Sequence, residues 1–324
     1  MSEFEVIRRL LRDAPALRDD VIIGPGDDAA VLALPANHEL VLTTDTLICG
    51  RHFPVDTKPA DIGWKSLAVN LSDLAAMAAD PAWITIALSL PQAQEEWLAE
   101  FVTGLFPLLQ SSGAALVGGD LTHGDLSITV QAAGLVPSGQ ALRRDSAQVG
   151  DKVCVTGDLG DAALGLNIWL GKQPERDLET KQPENLTYVL NRLTRPQPRC
   201  KAGIALRGRA NAGVDISDGL AADLGHMLKA SNVGARLYAD SLPSSEAFDA
   251  LCEPEQRLQR QLNGGDDYEL CVTVPDSELA ALRSAIDCKF TVIGEVVDQP
   301  GLQLLDANQQ PMEFPQGGYD HFPS

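Results

Sequence analysis

DIGWKSLAVNLSDLAAMAADPAWITIALSL, running from Asp61 to Leu90, changes period midway. Over Asp61 to Ala79, Leu67, Leu71, Leu74 and Ala78 recur at the spacing of an apolar helix face, and Asp73 stands off the centre of that stripe. Trp83 to Leu90 then reads as a strand. Asp80-Pro81 breaks the apolar run short of a membrane-spanning length. Asp73 inside this Ala-rich helix is costly to bury unless something pairs with it; a metal would do so, and an exposed helix position explains it equally.

Working outward, Glu39 to Thr44 reads as a strand running into Asp45. Gln94 to Gln110 reads as a helix, Ala114 to Val117 as a strand ending at Gly118-Gly119-Asp120, and Leu126 to Leu135 as a strand closing the first half. Pro137 to Gly150, with Pro, Gly and the basic pair Arg143-Arg144, is read as the junction. The second half opens with a strand over Lys152 to Thr156, a turn at Gly157 to Gly160 and a helix through Leu170. Gly171 to Glu184 is polar, a loop or a frayed helix start. Val214 to Ile216 is a short strand, and Ser217-Asp218 then caps a helix to about Lys229. Tyr268 to Val274 and Phe290 to Val297 are later strands, with a helix over Ser277 to Ile286 between them. The expectation is two α+β halves, residues 1–140 and 141–324.

Six acidic knots lie along this frame: Gly26-Asp27-Asp28, Thr43-Thr44-Asp45, Asn70 to Asp73, Gly118-Gly119-Asp120, Asp215 to Asp218 and Gly264 to Glu269. Each sets carboxylates beside Gly, Ser or Thr. Such oxygens are the ligands Mg²⁺ prefers, and Gly lets a backbone approach a phosphate closely. Any one of them is ordinary turn chemistry. Together, with little His or Cys nearby, they point to a hard-cation site that handles phosphates. Ser217-Asp218 is ambiguous, because a helix N-terminus both wants a cap and attracts phosphate.

Composition narrows the classes. With 45 acidic and 25 basic residues, the 324-residue chain carries a formal charge of −20. That argues against general affinity for nucleic-acid backbones or anionic membranes. The six cysteines, Cys49, Cys154, Cys200, Cys252, Cys271 and Cys288, form no C-x-x-C pair. A zinc site or disulfide framework is not expected, and most of the thiols should be buried. MSEFEVIRRLLRD reads as a short amphipathic helix rather than a signal peptide, so a cytoplasmic, reduced protein is expected.

The ordered set GPGDDAAVL, TTDTLICGRHF, NLSDLAAMAADPAW, GGDLTHG, VTGDLGD, RLTRPQPR, VDISDGLAADLGHML and GGDDYEL resembles the thiamine-monophosphate kinase family, within the aminoimidazole ribotide synthetase-like ATP-binding enzymes. The resemblance implies an α/β fold of two domains: an N-terminal sheet domain that binds ATP and Mg²⁺ and forms a homodimer, and a C-terminal α+β sandwich that completes the substrate site. It implies transfer of the γ-phosphoryl group of ATP to thiamine monophosphate without a covalent nucleophile. Carried over residue by residue, it implies that Asp28, Thr43, Thr44, Asp45, Asp73, Asp120, Asp215 and Asp218 hold several Mg²⁺ ions. It puts Gly119, Asp120, Arg144 and Ser217 on ATP, His52 on the substrate phosphate, and Glu269 and Tyr319 on the thiamine moiety. Another enzyme of that superfamily and a non-catalytic nucleotide-binding scaffold are the alternatives. A selenophosphate synthetase would be expected to carry a Cys or Sec near its start, and there is no Cys before Cys49.

Overall fold

The computed structural model describes residues 14–172 and 182–313. It is a mixed α/β protein that divides into two compact units, residues 1–74 with 79–140, and 75–78 with 141–324. No helix among the described residues is long and apolar enough to cross a membrane.

In the first unit, β1 (Val21–Ile23) and β2 (Val31–Leu32) form a small antiparallel ladder. β3 (His38–Ile48), α1 (Pro59–Ala76), β4 (Asp80–Leu90), α2 (Glu95–Ser112), β5 (Ala115–His123) and β6 (Ser127–Pro137) follow, and the four longer strands make one sheet in the order β3-β6-β4-β5. Helix α1 starts at Pro59, where a missing N–H costs nothing, and carries Asp61 in its first turn. Its Leu67, Leu71 and Leu74 are wholly buried, as the apolar stripe requires.

Two strands run past the ends that their sequences suggest. β3 continues through Asp45 to Ile48, and β5 continues through Gly118-Gly119-Asp120, which is therefore not a turn. β5 pairs in parallel with β4, Gly119 standing opposite Ile86 and Asp120 opposite Ala87. A Cβ at Gly119 would land on the Ile86 carbonyl oxygen, so glycine serves a close backbone approach here. On β3 the side chains alternate: Thr43, Asp45 and Leu47 are more buried, while Leu40, Leu42, Thr44, Thr46 and Ile48 are exposed. β3 is also an edge of the sheet.

The second unit contains β7 (Lys152–Thr156), α3 (Asp161–Trp169), α4 (Pro183–Thr194), α5 (Cys200–Leu206), β8 (Ala212–Asp215), α6 (Leu220–Ser231), β9 (Gly234–Tyr238), α7 (Glu246–Leu251), α8 (Arg257–Asn263), β10 (Leu270–Val274), α9 (Leu279–Ala285), β11 (Phe290–Val297), β12 (Gly301–Leu305) and β13 (Pro311–Met312). Its seven-stranded sheet has the order β13-β12-β9-β11-β7-β10-β8. Both faces are covered. Val153 and Val155 of β7 pack with Leu220, Leu224 and Met227 of α6, whereas Cys154 packs on the opposite side with Ala202, Leu206 and Leu282. Two-sided burial is why β7 and β10 read as unbroken apolar runs.

Cys154 and Cys271 lie fully buried on these neighbouring central strands. Burial pushes the Cys154 thiol up to about 12 and the Cys271 thiol upward as well. None of the six cysteines is in a disulfide; Cys154, Cys252 and Cys271 are buried, and Cys49, Cys200 and Cys288 are half-buried.

Candidate functional site

In the first unit the β3–α1 pairing brings two acids together. The Thr43 hydroxyl donates to Asp73 Oδ2, and the Asp45 backbone N–H donates to Asn70 Oδ1 at 3.1 Å. Burial and the neighbouring Asp73 carboxylate raise the Asp45 carboxyl to about 6 from its ordinary 3.8. Like charges held this close favour a cation between them. Thr44 lies on the other, exposed face of β3, so the three oxygens of Thr43-Thr44-Asp45 do not converge as their adjacency suggests.

Asp28, Gly119 and Asp120 meet at a second place. A cleft of about 1100 Å³ is walled by Pro25–Ala30, by α2 and by the start of β5. Its body is apolar, with Phe101, Leu105 and Phe106, while Asp27, Asp28 and Asp120 also line it. His52 sits in the loop after β3. The Ile48 N–H donates to its Nδ1 at 3.0 Å, so the neutral ring carries its hydrogen on Nε2. The buried Lys65 donates to the His52 carbonyl at 3.3 Å and holds that loop.

In the second unit Asp215 ends β8, and Ser217-Asp218 leads into α6. Neither caps the helix through its side chain. Gly219 at φ 114° occupies the cap position. Asp223, in the first turn, instead accepts the N–H groups of Ser217 and Asp218 on one oxygen, each at 3.0 Å. Burial raises Asp223 to about 6. The side chains of Ser217 and Asp218 are thereby left out of the capping role. Arg144 is exposed, and its carbonyl accepts from the Ser231 hydroxyl at 3.0 Å.

Glu269 requires a correction. It is wholly buried, and its carboxylate is taken up within the protein by Arg192, Arg199 and Thr156. No part of that carboxylate is open to solvent. The acids of Gly264 to Glu269 alternate, with Asp267 and Glu269 buried and Asp266 and Tyr268 half-buried. Nothing in the local sequence distinguishes these positions, because their partners lie far along the chain. Asn70, Asp223, Arg192 and Arg199 are the residues that sequence reading assigned no role, although all lie in or beside the quoted motifs. Tyr319 lies outside the described residues.

The donors fit Mg²⁺ in kind, being carboxylates and hydroxyls, and the Asp45–Asp73 pair fits it in placement. Among the described residues no group of three or more His, Cys, Asp or Glu side chains gathers into a metal cage. Mg²⁺ commonly binds through one or two carboxylates together with water and substrate phosphates, so a pair is sufficient protein contribution.

Asp161 carries a separate consequence. The Ser245 hydroxyl donates to its Oδ1 at 2.6 Å, while its buried Oδ2 has no hydrogen-bond partner. Burial raises the group from 3.8 to about 6. Its folded value exceeds its unfolded one, so its contribution to stability is complete below 3.8 and is lost as the pH rises through about 6. Asp161→Asn should remove that slope, worth roughly 3 kcal/mol at most. Denaturant titrations of both proteins at several pH values between those limits check it; parallel pH profiles would refute it.

Two family models define the class. The AIR synthase related protein N-terminal domain matches residues 26–136, and the corresponding C-terminal domain matches residues 148–306. Thiamine-monophosphate kinase of Escherichia coli K12 is 46% identical over 325 residues, covering 99% of this chain and 98% of the relative. The crystal structure of thiamine-monophosphate kinase from Stenotrophomonas maltophilia K279a is 48% identical, with a TM-score of 0.86, over 94% of this chain and 96% of that one. AaThiL complexed with AMPPCP and TMP is 29% identical with a TM-score of 0.78, over 98% and 96%. The chain belongs to the thiamine-monophosphate kinase family.

Proposed function

We propose that this chain transfers the γ-phosphoryl group of ATP directly to the phosphate of thiamine monophosphate, giving thiamine diphosphate and ADP. The observation that carries the reading is full-length relatedness to the Escherichia coli kinase, supported by the relative complexed with AMPPCP, an ATP analogue, and TMP. The chemistry agrees. Both reactants are anions, and this protein is itself strongly acidic, so counter-charge must come from bound cations. Mg²⁺, when bound, supplies that neutralisation.

In the first unit Asp45 and Asp73, oriented by Thr43, are the primary metal ligands in this reading. Thr44 and Asp28 are further ones, and Asp120 ligates metal while Gly119 lets its strand approach ATP. In the second unit Asp215 and Asp218 are proposed as metal ligands, and Ser217 and Arg144 as ATP contacts. His52 donates from Nε2 to the substrate phosphate. With Glu269 buried, the thiamine end falls to the half-buried Asp266 and to Tyr319. The acceptor phosphate oxygen is already ionised, so no nucleophilic side chain is needed.

We further propose a cytoplasmic location and a homodimer, the latter supported by the edge strand β3, which leaves Leu40 and Leu42 44% and 59% exposed. A soluble monomer rarely leaves such an edge open.

An ADP-release assay with thiamine monophosphate, thiamine and aminoimidazole precursors side by side tests the function. Turnover is expected with thiamine monophosphate. Initial rates should give intersecting lines, with no ATP–ADP exchange in its absence. Parallel lines or a labelled protein would establish a covalent intermediate, and silence with thiamine monophosphate would remove the kinase reading.

A further inference from the structure

We propose that Arg192 and Arg199 are positioning residues of this site, acting through Glu269 to set the backbone of Asp266–Tyr268 and, through it, the Ser217–Asp218 turn. The inference rests on the kinase reading above. Arg199 grips the carboxylate with two prongs, Nε to Oε2 at 2.6 Å and Nη2 to Oε1 at 2.5 Å. Arg192 Nη2 donates to Oε1 at 2.9 Å and also to the Asp267 carbonyl at 3.2 Å. The Thr156 hydroxyl donates to Oε2 at 2.7 Å and accepts the Leu270 N–H at 2.8 Å. Four donations thus converge on one buried carboxylate.

The backbone this clamp holds is unusual. Asp266 at φ 69° and Tyr268 at φ 50° both adopt the left-handed region with side chains attached. Such conformations persist where their surroundings over-determine them. The clamped segment is also zipped to the strand end beside it. Asp266 N donates to the Ser217 carbonyl, Tyr268 N to the Ile216 carbonyl, and Ile216 N to the Glu269 carbonyl, each at 2.8 Å. Ser217 and Asp218, proposed for ATP and metal, therefore hang between Asp223 on one side and the Glu269 segment on the other. A buried ion pair is weak evidence for stability as such, since apolar side chains of like volume often serve a core as well. A two-pronged arginine grip on a strained segment fixes geometry, and phosphoryl transfer depends on geometry.

The test compares Arg199→Lys, Glu269→Gln and the double variant Arg199→Met/Glu269→Gln in the full chain. Each is checked for fold by circular dichroism and assayed well below its own Tm. Lysine keeps the charge and loses the fork. The expected result is a kcat reduced about 10- to 100-fold in Arg199→Lys, exceeding any change in KM for thiamine monophosphate. The double variant should be no worse than Glu269→Gln alone, because both break one link. Should Arg199→Lys aggregate, the double variant, which leaves neither of these two charges unpaired by the other, carries the comparison.

Folded variants with lower Tm and kcat within about twofold of wild type would overturn the proposal. So would a change confined to KM for thiamine monophosphate in Glu269→Gln, which would put that acid on the substrate. Titration calorimetry with ATP and Mg²⁺ separates the two readings. If the wild type binds ATP without turning over thiamine monophosphate, the kinase reading fails. The clamp is then judged on whether Arg199→Lys weakens nucleotide binding: weaker binding supports it, and equal binding overturns it.

Discussion

Asp73→Asn is expected to lose about 1000-fold in kcat while keeping the fold. Asparagine keeps the shape and an oxygen for the Thr43 hydroxyl, so the β3–α1 contact survives. What disappears is one of the two negative charges that Asp45 and Asp73 bring together. With one carboxylate gone, the cation that offsets the phosphates is held less tightly, and their repulsion returns at the moment of transfer. Steady-state kinetics across a range of Mg²⁺ concentrations check this, alongside thermal unfolding without nucleotide. A kcat near wild type at saturating Mg²⁺ would remove Asp73 from the metal site.

Gly157→Ala is expected to destabilise the second unit strongly. Gly157 has φ 58°, and a Cβ there would collide with both carboxylate oxygens of Glu269. Alanine would therefore strain the turn and push a buried, ion-paired carboxylate away from Arg192 and Arg199. Overpacking together with a displaced buried charge predicts a loss of roughly 3 kcal/mol or more. Urea titration checks it; a midpoint unchanged from wild type would show that the turn relaxes freely. Gly119→Ala does not make the same point, since the close approach there is to a backbone carbonyl beside proposed ligands.

The parts of the fold that were legible in the sequence are those whose signal is local. β7 and β11 run over Lys152–Thr156 and Phe290–Val297 as their apolar runs imply, and α1 follows its leucine stripe. The misread positions involve partners far along the chain. Gly118-Gly119 looks like a turn, because nothing nearby announces the parallel pairing with Ile86. Ser217-Asp218 looks like a cap, because Asp223, the acid that satisfies those N–H groups, follows in the helix and could as readily face water. The same holds for the site. The kinds of residue were legible, and the Asp45–Asp73 pair can be guessed from chemistry. The fate of Glu269 could not be, because it is decided by Arg192 and Arg199, more than a helix away in sequence. β9, β12, α5 and α8 were not legible in the sequence and are held by packing in and against the large sheet, whereas α4 and α7 pack with α3 in a separate helical cluster through Leu186, Val189 and Phe248.

Cys154 and Cys271 give the second unit a pair of internal reporters. The reactive species of a cysteine is its thiolate, and both thiols are held protonated and out of reach at the middle of the large sheet. Alkylating reagents can find them once the covering layers lift, Cys154 lying under the layer with Leu206 and Leu282 and Cys271 under that with Leu220 and Leu224. Cys49, Cys200 and Cys288, half-buried, label on a different clock. The native chain thus already contains, without added dyes or engineered probes, a chemical stopwatch for how often the layer on each face of its large sheet comes away.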